Sequence, residues 1–366
     1  ERGRIIVDLE NPHILENMDY FREPALTFKR TGMYTTLRPN ANQNSDYGKW
    51  IREEKRRCWE GYVRKEDGEW VTGYLYWYLN YCPIMQSEIR KGTKRADRVE
   101  DLPESWEGVY WRFHYIEQAA NNGKHCAELA SRGKSKSYSL ASILSHIFIL
   151  GENTEAHEKV KGIVTAYSKE FLTKDGVLNK FVDMANFCAK TTQFPRKKLK
   201  NSMQEMTWVM GYKDVDLDID RGTQNTVIGV ACQDDESKLR GKRAAKILIE
   251  EFGSFPKLLE LYNTIRPSVE EGNIVFGQII MVGTAGDEDS DFRGAQEIVY
   301  NPMGYNMYAL HNVFDKPNQG KPYFVFFFPG YVNRKGCYNE DGVSDVVKGL
   351  LEILNNRYNV KYNIIS

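Results

Sequence analysis

Short apolar segments alternate with segments of helical periodicity between residues 105 and 300, and this alternation limits the fold more than any other feature of the chain. The apolar segments with the length of strands are His125–Ala130, Val160–Tyr167, Thr226–Ala231, Ala244–Ile249 and Val275–Val282. Between them, apolar residues recur at helical spacing, as in Leu140–Phe148 and Phe181–Phe187. Strands that alternate with helices in this way predict an α/β fold, with a mostly parallel sheet and helices covering its faces.

The composition is that of a folded protein without a strong overall charge. Of the 366 residues, 41% are hydrophobic and 13% aromatic, and 50 Lys and Arg balance 50 Asp and Glu. Any contact with nucleic acid would therefore depend on a local basic patch. The six cysteines form no CxxC pair, which argues against a zinc site and is typical of reduced thiols in the cytosol. No apolar run reaches the length of a membrane span.

Changes in composition along the chain predict three units. Residues 1–95 are rich in aromatic and charged side chains, and they end in a basic, glycine-containing stretch that is typical of a solvated connector. Residues 96–300 hold the alternating strands and helices and are expected to form the core. Residues 301–366 are expected to form a smaller unit, in which strands are followed by the helix Val343–Arg357.

The segment from His125 to Ser137 predicts a strand, a small basic loop and the start of a helix. This is the layout of a phosphate-binding P-loop, in which backbone N–H groups at a helix N-terminus surround an anion. In such a loop a lysine contacts the β- and γ-phosphates of a nucleotide and a hydroxyl contacts Mg²⁺. Lys136 and Ser137 are candidates for these two tasks. A basic loop rich in Ser and Gly before a helix is also a common solvated turn.

The glycine pattern of this loop is incomplete, so two registers are open. If Lys136 is the functional lysine of GxxxxGK[ST], Ala130 and Ser135 replace the two glycines. The literal match, Gly133–Ser135, would instead start the loop at Glu128, inside the predicted strand. We prefer the first register for this reason.

A pair of carboxylates follows the predicted strand Ala244–Ile249, namely Glu250 and Glu251. Open α/β sheets bind ligands beyond the carboxyl ends of their strands, where this pair would lie. One carboxylate there can orient the ligands of Mg²⁺, and the other, facing the opposite way along the chain, can accept a proton from water that attacks a γ-phosphate. Two glutamates after an apolar strand are also an ordinary solvated strand end.

A hydroxyl follows a third strand, since Val275–Val282 is followed by Gly283, Thr284 and Ala285. Thr284 is a candidate sensor of the γ-phosphate that passes its presence to the next segment. The same small residues also suit a plain turn.

In this order, the three motifs resemble the ATPase domain of the large terminase subunit of tailed bacteriophages, the motor that packages DNA. That family carries a Ser-Arg-x-x-Gly-Lys-Ser/Thr loop, which Ser131–Ser137 resembles with Ser135 in place of glycine. It also carries an Arg-Gly pair, an apolar strand and Asp-Glu, which Arg240–Glu251 resembles with Glu250 in place of aspartate. The resemblance covers about residues 105–300 and implies a RecA/ASCE-like P-loop NTPase fold with a small lid subdomain.

The resemblance implies a role for each matching residue, with ATP and Mg²⁺ as the ligands. The loop residues that would contact ATP are Ser131, Arg132, Gly133, Lys134, Ser135, Lys136 and Ser137. Among these, Lys136 would lie on the β- and γ-phosphates and Arg132 near the γ-phosphate. Ser137 and Glu250 would bind Mg²⁺, Glu251 would be the catalytic base, and Thr284 would couple hydrolysis to movement. Tyr110 and Gln118 stand where such motors hold adenine, although aromatic residues in such a segment more often belong to a core.

The resemblance also implies partners. These are double-stranded DNA, the portal protein and procapsid, the small terminase subunit and further copies of the chain in a ring, all in the host cytoplasm during virus assembly. Large terminases usually continue into a nuclease domain, and residues 301–366 lack the acidic cluster that such a domain uses. We therefore expect the nuclease domain of the full-length protein to lie outside this chain.

Two other functions remain open from the sequence. One is a helicase-like P-loop ATPase acting on nucleic acid, which would need a second RecA-like domain that the residues after 300 are too few to form. The other is a structural adaptor whose nucleotide site has decayed, as the substitutions at Ser135 and Glu250 would suggest.

Overall fold

The computed structural model of the chain describes residues 16–89, 96–151, 159–233, 235–284, 292–312, 320–330, 332, 337–339 and 343–358. Its helices are α1 (Glu23–Thr31), α2 (Asp46–Glu60), α3 (Gly73–Tyr81), α4 (Glu107–Asn121), α5 (Lys136–Leu150), α6 (Lys169–Leu172), α7 (Val177–Thr191), α8 (Leu258–Ile265), α9 (Arg293–Tyr300) and α10 (Val346–Tyr358). Within these ranges, none of the helices combines the length and the apolar character needed to cross a lipid bilayer.

The strands of the N-terminal half are β1 (Tyr62–Val63), β2 (Trp70–Val71), β3 (Ile84–Ile89), β4 (Ala96–Asp101), β5 (Cys126–Ala130), β6 (Lys161–Ala166), β7 (Lys198–Ser202), β8 (Thr207–Met210) and β9 (Tyr212–Asp214). Those of the C-terminal half are β10 (Ile219–Arg221), β11 (Thr226–Ala231), β12 (Lys246–Glu250), β13 (Glu270–Glu271), β14 (Ile274–Val275), β15 (Gln278–Gly283), β16 (Leu310–His311), β17 (Tyr323–Phe324) and β18 (Phe326–Phe328).

Eight strands form one central sheet in the order β18, β5, β15, β12, β6, β11, β8, β7. The strands from β18 to β11 run parallel, and β8 and β7 extend the sheet antiparallel at one edge. β15 therefore lies between β5, which leads into the predicted P-loop, and β12, which ends in the predicted carboxylates. The predicted α/β fold class, with a mostly parallel sheet flanked by helices, is confirmed.

Helices cover both faces of the sheet, so β5, β12 and β15 are buried along their whole length. Residues of α3, α4, α5 and α7 form the core on one face, and residues of α8 and α9 form the core on the other. Along β12, Leu248 belongs to the first core, whereas Ile247 and Ile249 belong to the second. Each such buried Leu or Ile contributes about 1.5–3 kcal/mol. Burial on both faces explains why these strands are continuous apolar runs in the sequence.

The chain segments on the two sides of the predicted boundary near residue 95 contact each other in the structure. β3 and β4, which lie on either side of it, pair as an antiparallel hairpin, and residues 90–95 of the predicted basic connector lie outside the described residues. Every residue of α3 is buried, and the indole of Trp77 donates a hydrogen bond to the hydroxyl of Ser145 in α5 at 2.9 Å. The N-terminal region thus shares a hydrophobic core with the sheet.

The unit predicted after residue 300 contributes to the central sheet. β18 pairs in parallel with β5, with Phe328 opposite Ala130, so the C-terminal unit supplies a strand of the central sheet. Gly108 in α4 makes room for this strand, because a Cβ there would lie 1.8 Å from the ring of Phe328. Strands far apart in sequence can be neighbours in a sheet, and a change in composition does not reveal this.

The buried His114 predicts a loss of stability at mildly acidic pH. Its ring stacks on Tyr110 with centroids 4.1 Å apart, and burial lowers its pKa from 6.5 to about 3. The unfolded chain therefore takes up this proton first as the pH falls below about 6.5, which destabilises the fold. Between pH 7 and pH 5 we expect the free energy of unfolding to fall by about 2 kcal/mol more in the parent than in His114→Phe. Urea unfolding at both pH values measures this, and an equal fall in the two proteins would contradict it.

Candidate nucleotide-binding site

Three parallel strands end side by side at one edge of the sheet and bring the predicted motifs together. β5 runs into the loop Ser131–Ser135 and then into α5, β12 ends at Glu250, and β15 ends just before Thr284. The register places Glu250 opposite Val282 of β15, and Gly283 opposite Leu129 of β5. Residues that are far apart in the sequence are therefore neighbours at the carboxyl edge.

Lys136, the first residue of α5, extends back across the loop. Its Nζ donates a hydrogen bond to the carbonyl oxygen of Ala130 at 2.7 Å and lies 3.9 Å from Oε1 of Glu251. The residue is only 6% exposed, and burial lowers the pKa of its ammonium group. Lys136 thus presents a nearly buried cation beside the N-terminus of a helix, where a phosphate would be stabilised.

Lys134, the lysine of the competing register, points elsewhere. Its Nζ donates hydrogen bonds to the carbonyl oxygen of Gly330 at 3.2 Å and to that of Val332. These two residues follow β18, so Lys134 connects the loop to the C-terminal segment. The geometry thus separates the two lysines, with Lys136 beside the carboxylates and Lys134 against the segment after β18.

Ser137 and Glu250 contact each other directly. The hydroxyl of Ser137 donates a hydrogen bond to Oε1 of Glu250, while Oε2 of Glu250 is buried without a partner in the described part of the chain. The pKa of Glu250 is raised to about 7, chiefly by burial, with a smaller contribution from the nearby Glu251, and the hydrogen bond from Ser137 opposes this shift. The hydroxyl of Ser137 and the carboxylate of Glu250 thus lie side by side, and oxygen ligands of this kind fit Mg²⁺.

Glu251 is held by Thr284. The backbone N–H and the hydroxyl of Thr284 both donate to Oε2 of Glu251 at 2.9 Å, which leaves Oε1 toward Lys136. The strand ends at Glu250, and Glu251 has a left-handed backbone with a φ of 47°. This turn, rather than the alternation of a strand, brings both carboxylates to the P-loop side, so the expectation that they face opposite ways is wrong.

The rest of the loop lies along an open cleft. Ser131, Arg132 and Gly133 are exposed, and Arg132 and Gly133 line a cleft of about 890 Å³, a volume within the range of ligand sites. Gly133 and Ser135 both have left-handed backbones, with φ of 77° and 57°. That conformation suits glycine, whereas Ser135 adopts it with a side chain.

The structure does not bring Tyr110 or Gln118 to this cleft. The ring of Tyr110 is fully buried and its hydroxyl donates to Oε1 of Glu69 at 2.9 Å. Gln118 lies near the C-terminal end of α4, away from the residues that line the cleft. The aromatic side chains that do line it include Trp106 and Tyr138. The structure therefore places neither residue at the cleft, because Tyr110 points into the core and the half-buried Gln118 is not among the residues that line the cleft.

Sequence analysis missed a buried ion pair directly behind the loop. Arg112 in α4 donates from Nε and Nη2 to the two carboxylate oxygens of Glu128 in β5, at 2.6 and 2.7 Å. Arg112 is 1% exposed and Glu128 is 3% exposed. A charged residue inside the apolar strand His125–Ala130 was the available signal, because a buried carboxylate requires a partner.

Comparison with solved structures finds large terminases of bacteriophages. One is a variant of the ATPase domain of the Thermus phage P74-26 large terminase, at 12% identity and a TM-score of 0.43, over 67% of this chain and 88% of that chain. Another is the large terminase of bacteriophage HK97, at 13% identity and a TM-score of 0.41, over 78% of this chain and 53% of that chain.

A third is the large terminase of a thermophilic bacteriophage solved in complex with ADP, at 9% identity and a TM-score of 0.30, over 45% of this chain and 34% of that chain. No protein-family model and no curated protein sequence matches the chain. These three solved structures are bacteriophage large terminases, and the likeness of this chain to them is a distant one.

Proposed function

We propose that this chain is the ATPase motor domain of a viral DNA-packaging terminase, which hydrolyses Mg·ATP and couples this to the movement of double-stranded DNA into a procapsid. The observation that supports hydrolysis most is the convergence at one sheet edge of Lys136, Ser137, Glu250, Glu251 and Thr284. They come from three segments of the sequence and offer a cation, a hydroxyl, two carboxylates and a second hydroxyl.

In this proposal the loop and the start of α5 bind the phosphates. Backbone N–H groups of the first helical turn have no partner within the helix and point toward the anion. Lys136 exchanges its hydrogen bond to the carbonyl oxygen of Ala130 for the β- and γ-phosphate oxygens. Arg132, exposed on the cleft side of the loop, stabilises charge near the γ-phosphate. Both side chains act electrostatically on a reaction in which charge is redistributed over phosphate oxygens.

Ser137 and Glu250 are the residues that would hold Mg²⁺, since one hydroxyl oxygen and one buried carboxylate oxygen are available side by side. When bound, the metal neutralises charge on the β- and γ-phosphates. A neighbouring dication favours the ionised carboxylate, which offsets the burial that raises the pKa of Glu250.

Glu251 is proposed as the general base. Thr284 fixes its Oε2 with two hydrogen bonds, so the free direction of the carboxylate is that of Oε1, toward Lys136 and the phosphate site. A water between Oε1 and the γ-phosphate would be oriented for attack and would lose its proton to Glu251. Because Thr284 directly follows β15 and holds the base, a change at the γ-phosphate would reach the segment after β15 through this contact.

The DNA-packaging part of the proposal rests on the motif resemblance. It includes the portal protein, the procapsid, the small terminase subunit, a nuclease domain of the full-length protein and a ring of further copies as partners, in the host cytoplasm. A zero formal charge means that DNA contacts must come from local basic clusters such as Arg196–Lys200.

Phosphate release with and without DNA tests this proposal. We expect turnover of Mg·ATP by the isolated chain, with stimulation by duplex DNA that decreases steeply as salt is raised, because phosphate contacts release counterions. Stimulation by single strands but not by duplex would favour a helicase-like enzyme. Tight nucleotide binding without turnover under any condition would favour an adaptor with a decayed site.

A further inference from the structure

The backbone of Ser135 is the strained point of the loop. Its φ of 57° and ψ of 21° lie in the left-handed region, which glycine adopts without steric cost and serine does not. Ser135 directly precedes Lys136, so its backbone angles determine where that lysine lies. A loop with serine here needs a contact that stabilises the left-handed conformation.

The guanidinium of Arg112 holds the carbonyl groups on both sides of the Ser135 Cα. Nη2 of Arg112 donates to the carbonyl oxygen of Lys134 at 2.8 Å, and Nη1 donates to the hydroxyl of Ser139 at 2.9 Å. That hydroxyl in turn donates to the carbonyl oxygen of Ser135 at 3.0 Å. These two carbonyls belong to the two peptide planes whose relative rotation defines φ and ψ of Ser135. Fixing both planes fixes the conformation.

Glu128 orients the guanidinium for this task. Its two carboxylate oxygens accept from Nε and Nη2 of Arg112, in the planar two-pronged arrangement that arginine forms and lysine does not. Burial of an ion pair is a poor way to stabilise packing, since apolar residues of similar volume usually serve as well or better. The hydrogen bonds from Arg112 to the loop are what an apolar pair at these positions would lack.

We infer that Arg112, oriented by Glu128, is a positioning residue that holds the P-loop in its phosphate-binding shape and compensates for the serine at position 135. Arg112 acts through the loop backbone, because it contacts Lys134 and Ser139 and does not line the cleft. The part of this inference that concerns nucleotide affinity rests on the proposed function, whereas the part that concerns loop order does not.

A double-mutant cycle between Arg112→Lys and Ser135→Gly tests the inference. Arg112→Lys keeps the positive charge but loses the planar guanidinium and its several N–H donors, so we expect the affinity for Mg·ATP to fall about tenfold. Ser135→Gly alone is the reference for the double variant, because it relieves the left-handed strain and removes the side chain that interacts with Tyr78. Adding Arg112→Lys to Ser135→Gly should lower affinity by less than about threefold, so the two changes are non-additive.

Hydrogen exchange of the amides of residues 131–139, measured without nucleotide, gives a readout that does not depend on ATP. Exchange should be faster in Arg112→Lys than in the parent and unchanged in the control Arg64→Lys, which loses a similar pair with Asp67 and whose other hydrogen bonds go to the carbonyl oxygens of Glu16 and Asn17 rather than to the loop. If Arg112→Lys does not fold, Arg112→Met combined with Glu128→Leu removes both charges and should show the same faster exchange.

Two results would overturn the inference. One is that Arg112→Lys changes neither the exchange of the loop amides nor the affinity for Mg·ATP. The other is that Arg112→Lys lowers this affinity equally whether residue 135 is serine or glycine. If the parent itself does not bind Mg·ATP, the proposed function fails, while the exchange comparison still decides whether Arg112 holds the loop.

Discussion

Glu251→Gln is expected to lower ATP turnover by about 10²–10⁴-fold while leaving Mg·ATP binding nearly unchanged. Glutamine keeps the shape of the side chain, and its amide oxygen can still accept the hydrogen bonds from the N–H and hydroxyl of Thr284. It cannot take a proton from water at neutral pH. The variant should therefore retain unhydrolysed ATP.

The measurement is single-turnover hydrolysis together with equilibrium binding of Mg·ATP. Glu250→Gln serves as the matched control, because it makes the same chemical change one residue away. It should weaken the Mg²⁺ dependence of binding, since it removes the carboxylate that accepts from Ser137 and has an oxygen without a partner. Hydrolysis at near the parent rate in Glu251→Gln would show that Glu251 is not the base.

Lys136→Ala is expected to reduce turnover by about 10²–10³-fold, because it removes a nearly buried cation from the phosphate site. Lys134→Ala should reduce turnover by less than about tenfold, since the side chain of Lys134 donates to Gly330 and Val332 rather than lying beside the carboxylates.

Steady-state phosphate release from the two variants, with thermal unfolding as a check on folding, ranks the lysines. A greater loss in Lys134→Ala than in Lys136→Ala would move the functional register to Gly133–Ser135. Equal, small losses in both variants would argue that this loop does not bind the transferred phosphate.

Local sequence signals were sufficient for the fold class and for the positions of the three motifs. Continuous apolar runs mark strands that are buried on both faces, and the residues just after such strands must lie at the edge of a parallel sheet. For this reason the sequence alone predicts that Lys136, Glu250 and Thr284 lie at one edge of the sheet. The contact of Thr284 with Glu251 was not predicted, because it depends on the left-handed turn at Glu251.

Side-chain direction and long-range pairing were beyond the sequence signals. The helix containing Tyr110 and Gln118 is aromatic on several sides, so its periodicity does not show which face meets the cleft and which meets the core. β18 joins the sheet beside β5, although Phe328 follows its partner Ala130 by almost 200 residues in the sequence. The ion pair between Arg112 and Glu128 depends both on side-chain direction and on the pairing of a helix with a strand. Its two charged groups are of a kind that ordinarily lies in solvent, so the sequence did not indicate that they are buried together.

A structure of Glu251→Gln with bound Mg·ATP tests the central claim most directly. We predict that Nζ of Lys136 lies within hydrogen-bond distance of the β- and γ-phosphate oxygens, that the hydroxyl of Ser137 faces the metal, and that Lys134 keeps its contacts with the segment after β18. Phosphates bound by Lys134, or a nucleotide bound away from the edge formed by β5, β12 and β15, would contradict the proposed site.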